Sequence, residues 1–382
     1  MKRILIVIPS FEIGGTNTSL INMIANFDSS RFGLSIYAIN NQGPLRFAME
    51  PYAKVLNPSS NESTGIKGKK HSIFIFLKKV FRVFRTFGVD FSSLYYKRIA
   101  NTLSKSQYDC VVAFQEGNAT KLVSYFKNNR KIAWVRSEYG RYISANKIKP
   151  EVEIYNRFDF IINVSKTAKN NFLSVMPKLK DKTLAIYNLL NKDRVYRLAE
   201  EECSIPGENT FTLISIGRVD PVKHFSEIPD MAHSIKEIGC FFKWLIIGGK
   251  TENTPEEYDL IQKKIREYGL GNTVFLMGYQ SNPYSFLKNS QLLVCLSESE
   301  TFNHTFAEAR LLGVPVLTVN YESAPEFINK GEGGIIVERS MIASTIREII
   351  SDKKLYYNLR IETQQFDYDN ESILNSIYTV VS

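Results

Sequence analysis

The feature that most limits what this chain can fold into is an alternation of short, nearly unbroken runs of Val, Ile and Leu with longer segments of helical periodicity. The runs fall at 4–9, 34–40, 110–115, 132–137, 158–164 and 184–187, then at 212–217, 242–247, 274–277, 292–296, 316–319 and 335–337. A strand that is apolar on both faces needs cover on both, so the runs predict parallel sheets flanked by helices, an α/β architecture. The alternation starts afresh near residue 210, after a polar stretch at 191–209 broken by Pro206-Gly207. At 382 residues the chain is too long for one ordinary core. Two doubly wound, Rossmann-like domains are therefore expected, at 1–190 and 208–368, with a last helix near 370–382 packing back on the first. Such sheets bind ligands outside the carboxyl ends of their strands, so two of them facing each other make a cleft.

A hydrophobic content of 44% with 23% charged residues is that of a chain able to bury sizeable cores, which excludes a disordered protein. The first apolar run follows Lys2-Arg3 but is too short to span a membrane, and no small-residue cleavage site follows it; it reads as a strand. Cys110, Cys203, Cys240 and Cys295 are far apart, and His71, His224, His233 and His304 are scattered, so no metal is expected and a reduced, cytoplasmic location is.

The formal net charge of +9 asks for an anionic partner. Between residues 63 and 89 lie Lys67, Lys69, Lys70, Lys78, Lys79, Arg82 and Arg85 and no acid. There Ile73, Phe76, Leu77, Val80, Phe81, Phe84 and Phe87 recur at helical spacing, with Lys78, Arg82 and Arg85 on another face. A helix at about 72–87 lying on an anionic membrane surface fits this pattern, and so does a surface helix with its aromatic face in the domain core. A nucleic-acid binder is disfavoured, because no aromatic stacking motif accompanies the basic residues.

Three loops that follow predicted strands suit a phosphate. Gly14-Gly15, before a helix expected from about Thr18, lets backbone approach an anion closely, and a plain tight turn explains it as well. Arg218 and Lys223, after the run at 212–217, can neutralise a diphosphate as a fork and a point charge, though such a pair is more often surface cations. The third loop leads from Leu296 to a helix expected near Asn303, whose free amides and dipole favour an anion. Glu300 lies before that helix and Glu308 inside it; five helical residues advance ~7.5 Å. One carboxylate would then take hydroxyls of a sugar and the other those of a ribose, while the plainer reading has both acids complementing the helix dipole.

Glu300 and Glu308, separated by seven residues and followed by Ala309 and Gly313-Val314-Pro315-Val316, resemble the Glu-x7-Glu motif of glycosyltransferase family 4, a retaining family of GT-B fold. Gly217-Arg218 with Lys223 is similar to that family's diphosphate clamp. Gly14-Gly15, Val164-Ser165, Ile186-Tyr187-Asn188, Gly278 with Asn282-Pro283, and Pro325-Glu326 fall in the family's order. The resemblance implies a cytoplasmic enzyme, and is compatible with a peripheral place on the inner membrane face, that moves a sugar from a nucleotide diphosphate sugar, by default a UDP-sugar, to a saccharide or lipid-linked acceptor in bacterial surface-polysaccharide assembly. It implies Arg218, Lys223 and Glu300 as catalytic, Gly15, Gly278, Phe302, Asn303, His304 and Glu308 as donor-binding, and no metal. Arg136 stands where relatives often carry a histidine, and with Glu138 is assigned to the acceptor or a phosphate. A sugar-nucleotide epimerase of the same fold and an inactive donor-binding subunit are the rival implications.

Overall fold

The structure, a computed structural model, describes residues 1–57, 92–127, 129–206, 210–251, 254–328 and 332–382. The predicted basic helix at about 72–87 lies outside the described residues. Two compact units divide the chain, residues 1–189 with 370–382 and residues 190–369.

The first unit is built on a sheet of seven described strands, β1 (Lys2–Ile8), β2 (Phe32–Ala38), β3 (Lys54–Val55), β4 (Cys110–Ala113), β5 (Arg130–Val135), β6 (Phe160–Asn163) and β7 (Thr183–Ala185), in the order β3-β2-β1-β4-β5-β6-β7. Every pairing is parallel. Central strands such as β1 and β4 are buried on both faces, as their unbroken apolar runs require. The helix expected from about Thr18 begins at Gly15 and runs to Ala25. Asn17 starts it early: its buried amide donates to the carbonyls of Ser10 and Glu12, at 3.0 and 2.7 Å, which folds the loop under the first turn. The C-terminal helix Asn370–Val381 belongs to this unit. Tyr378 fixes it there, stacking on Phe32 with ring centroids 4.8 Å apart and accepting a hydrogen bond from the Asp28 amide at 2.9 Å.

The second unit has six described strands, β8 (Phe211–Ile216), β9 (Phe242–Ile247), β10 (Val274–Gly278), β11 (Leu292–Cys295), β12 (Val316–Val319) and β13 (Gly334–Val337), ordered β10-β9-β8-β11-β12-β13 and parallel throughout. Its core gathers Leu213, Trp244, Leu245, Ile246, Leu292, Phe306 and Leu317, all almost fully buried. The polar stretch at 191–209 is not unstructured chain between the domains, since helix Lys192–Ala199 occupies part of it and belongs to this unit. In both sheets the order reverses once, between β1 and β4 and between β8 and β11. Loops leaving two such neighbours diverge and open a crevice between them.

Candidate functional site

In the second unit the reversal brings the loops after β8 and β11 together. Ser215 locks the strands beneath them: its buried hydroxyl donates to the Val294 carbonyl at 2.7 Å and accepts from the Trp244 indole at 3.0 Å. Beyond β8 the chain turns at Gly217, against which the loop after β9 packs so closely that a Cβ at Gly248 would lie 2.0 Å from the Gly217 carbonyl oxygen. A short 3-10 turn, Pro221–Lys223, then carries the lysine. The next residue, His224, adopts the left-handed conformation at φ 54°, ψ 31°, which is strained for a side chain with a Cβ. Its Nδ1 lies 2.8 Å from Glu227 Oε1, Glu227 Oε2 accepts from Arg339 at 3.0 Å, and Arg339 also donates to the Leu296 carbonyl at 3.0 Å. The Glu298 amide donates to the Val222 carbonyl at 2.9 Å and stitches the two loops together.

Lys223 Nζ meets Glu300 Oε1 in a hydrogen-bonded ion pair. Burial works to lower the lysine's pKa, but Glu300 and Cys295 beside it prevail and hold it above its ordinary value. Burial raises the Cys295 thiol, and Glu300 adds to the effect. Glu300 is itself fixed at its carbonyl, which accepts from the buried Ser323 hydroxyl. Lys223, Cys295, Ser297, Asn303 and Thr305 line a small hollow at this point. Asn303 is the N-cap of helix His304–Leu311, whose Phe306 and Ala309 are buried in the core, so the helix start is held next to the ion pair. Phe302 is buried against Phe327 and His304, at centroid distances of 5.1 and 4.8 Å. Glu308 lies in the second turn of the same helix and accepts the Tyr284 hydroxyl at 3.0 Å. Burial pushes its carboxyl up to about 7, against the Tyr284 hydrogen bond and the charge of Arg194. Gly278, ending β10 at φ 69°, receives the Gly248 amide at 2.9 Å.

The structure thus joins Lys223, Glu300, Asn303 and the helix carrying Glu308. Arg218 points outward with its side chain 78% exposed, 3.2 Å from Asp220. An exposed pair of this kind contributes about 0–1 kcal/mol. Arg218→Ala is therefore expected to leave the urea midpoint of unfolding within experimental error; a large loss of stability would place the guanidinium elsewhere. Sequence reasoning missed Tyr284, Arg194 and Ser323. Asn282, noticed beside Pro283, carries the only signal: its side chain caps the Tyr284 amide at 3.0 Å and donates to the Leu198 carbonyl at 2.8 Å, which draws in the helix bearing Arg194.

In the first unit Gly15 opens its helix, and a Cβ at Gly14 or Gly15 would meet nothing within 4 Å, so packing does not demand either glycine. Arg136, just past β5, is half-buried with its guanidinium carbon 3.8 Å from the Phe114 ring centroid. It donates to Asn188 Oδ1, and its amide donates to the buried carboxylate of Glu116 at 2.9 Å. Burial lowers its pKa to about 9, with Glu116 opposing. Glu138 pairs with Arg141 at 2.9 Å and accepts from Asn171 at 3.1 Å, so it already serves the local structure.

Two doubly wound parallel sheets, each reversing its strand order once, have the architecture of the GT-B class. Residues 200–366 match the family described as glycosyl transferases group 1. It is 28% identical over 220 residues to an uncharacterized glycosyltransferase of Methanocaldococcus jannaschii, a match covering 56% of this chain and 52% of the relative. It is 22% identical over 322 residues, 80% of this chain and 82% of the other, to the N-acetylgalactosamine-N,N'-diacetylbacillosaminyl-diphospho-undecaprenol 4-alpha-N-acetylgalactosaminyltransferase of Campylobacter jejuni. The chain spans about half the length of the first curated relative it matches. Among solved structures, HepE of Anabaena in complex with UDP and glucose superimposes with a TM-score of 0.76 at 17% identity, over 100% of this chain and 99% of the other.

Proposed function

We propose that the chain transfers a sugar, with retention and without a metal, from a nucleotide diphosphate sugar to a saccharide or lipid-linked acceptor of bacterial surface-polysaccharide assembly. The observation that carries the reading is the Lys223–Glu300 pair beside the start of helix His304–Leu311, with Glu308 one turn further on. Lys223 and the outward Arg218 neutralise the diphosphate, joined by the backbone amides of Phe302, Asn303 and His304. Glu300 takes hydroxyls of the sugar and Glu308 those of the ribose, Gly278 offers backbone to the base, and Gly15 approaches the diphosphate. The acceptor oxygen attacks the anomeric carbon from the side the diphosphate leaves. As the new C–O bond forms, the electron pair of the old one passes to the phosphate oxygen, which takes the acceptor's proton. Positive charge held at that oxygen is the main protein contribution, because it matches charge that grows in the transition state.

Arg136 and Glu138 face the acceptor in this reading. The Campylobacter relative acts, by its name, on a diphospho-undecaprenol-linked sugar, which supports an acceptor bearing phosphate on a lipid. The HepE complex with UDP and glucose supports UDP as the first nucleotide to try. Charge supports work at an acidic lipid surface: residues 1–189 and 370–382 hold 29 of the 48 basic residues and only 13 of the 39 acidic ones. Each cation near such a surface contributes about 1 kcal/mol. Flotation with acidic but not with neutral vesicles is expected, and equal behaviour would remove the membrane role. The decisive test is a thermal-shift panel of nucleotide sugars followed by nucleotide release with and without acceptor, since binding to the folded state raises its stability by mass action. Silence across the whole panel would overturn the function.

A further inference from the structure

Three helices of the second unit converge on one carboxylate: Glu308 comes from helix His304–Leu311, Tyr284 from helix Tyr284–Lys288, and Arg194 from helix Lys192–Ala199. The Tyr284 hydroxyl, on a side chain that is itself buried, donates to Glu308 Oε1 at 3.0 Å. Among the described residues no hydrogen-bond donor reaches Oε2. The Arg194 guanidinium carbon sits 5.8 Å from the Tyr284 ring centroid, close enough for its charge to act on Glu308 as well. An ionised carboxylate accepts at both oxygens, so one pinned and one open oxygen is a carboxylate aimed at a ligand hydroxyl.

We propose that Tyr284 is a positioning residue for the donor: backed by Arg194, its hydroxyl pins one oxygen of Glu308 so that the other receives the ribose hydroxyls. The inference rests on the donor-site reading above and adds to it two residues that the reading does not use. A merely structural tyrosine would fill the same space with its ring. What distinguishes the two is the hydroxyl's hold on the acid. Tyr284 and Arg194 are the titratable and charged groups acting on Glu308, and both favour its ionised form against burial. Loss of either moves the appearance of the carboxylate to higher pH.

The test uses the full chain as Tyr284→Phe and, should that variant fold poorly, Arg194→Gln, each compared with wild type. Carbon-13 NMR of side-chain carboxyls, assigned by the signal lost in Glu308→Gln, follows the Glu308 titration without ligand. Calorimetry then gives the Kd for UDP between pH 6 and 9. The titration midpoint is expected to rise in both variants, and the Kd of Tyr284→Phe to rise about tenfold at pH 7, with the gap narrowing by pH 9. An unmoved midpoint with an unchanged Kd overturns the proposal. A wild type that fails to bind UDP while Tyr284→Phe still shifts the titration overturns the donor-site reading and this role with it, and is distinguished by the surviving coupling from a tyrosine with no hold on Glu308.

Discussion

Glu308→Gln is expected to stabilise the unliganded protein at pH 8 and, on the donor-site proposal, to abolish the stabilisation expected from UDP in the wild type. Burial lifts the Glu308 carboxyl from an ordinary 4.5 to about 7. The folded state therefore holds this proton more tightly than the unfolded chain does. Below the unfolded pKa the acid is neutral in both states and contributes no penalty. As pH rises through about 7 the folded protein must carry a buried charge, and the penalty reaches about 3 kcal/mol at 1.36 kcal/mol per pKa unit. Glutamine has the same shape and no charge. The difference in Tm between the variant and wild type is thus expected to be near zero at pH 4 and to grow to ~5 °C or more at pH 8. The amide presents one acceptor oxygen where the carboxylate presents two, so ribose hydroxyls lose a charge-assisted partner and the UDP-dependent shift disappears. Scanning fluorimetry across pH, with and without UDP, reads both effects. A Tm difference that does not change with pH would mean that Glu308 is not held against its charge.

Glu308 itself was legible from its spacing to Glu300, but its partners Tyr284 and Arg194 were not, and the reason lies in how far along the chain they are. The strands were legible because the signal is local: β4 is an unbroken apolar run, β1 is one from Ile4 on, β8 and β9 are mostly apolar, and each proved to be a largely buried parallel strand. Strand β3 was not, since two residues, one of them Lys54, carry no pattern. Helix Lys192–Ala199 was hidden inside a polar stretch because it buries only a narrow stripe, Val195 and Ala199, so its composition reads as a linker. The helix start at Asn303 was legible from the loop and the residues around it. The choice of partners for the cations was not. Lys223 and Arg218 are five residues apart and look like a pair, yet Lys223 finds its partner 77 residues away because β8 and β11 are neighbours only through the crossover order of the sheet.

That long-range pair sets the second large effect. Lys223→Ala is expected to lower transferase turnover by 10²–10³-fold, the range seen when one group that stabilises a developing oxyanion is lost. It is also expected to destabilise the protein, because it strands the Glu300 carboxylate, whose side chain is only 16% exposed in a pair with a lysine at 22%. Removing one partner of a fully buried pair costs about 3–5 kcal/mol, and partial access to water here brings the figure nearer 2 kcal/mol. The two effects separate in a double variant. Lys223→Met with Glu300→Gln leaves no lone charge and keeps both side chains near their original volumes, so urea unfolding is expected to return close to the wild-type midpoint while turnover stays lost. Recovery of stability alone would show that the pair contributes little to folding on balance and is kept for the anion that competes with Glu300 for the lysine. If the double variant is as unstable as the single one, the stranded carboxylate is not the cause; if it turns over substrate, Lys223 is not the cation at the diphosphate.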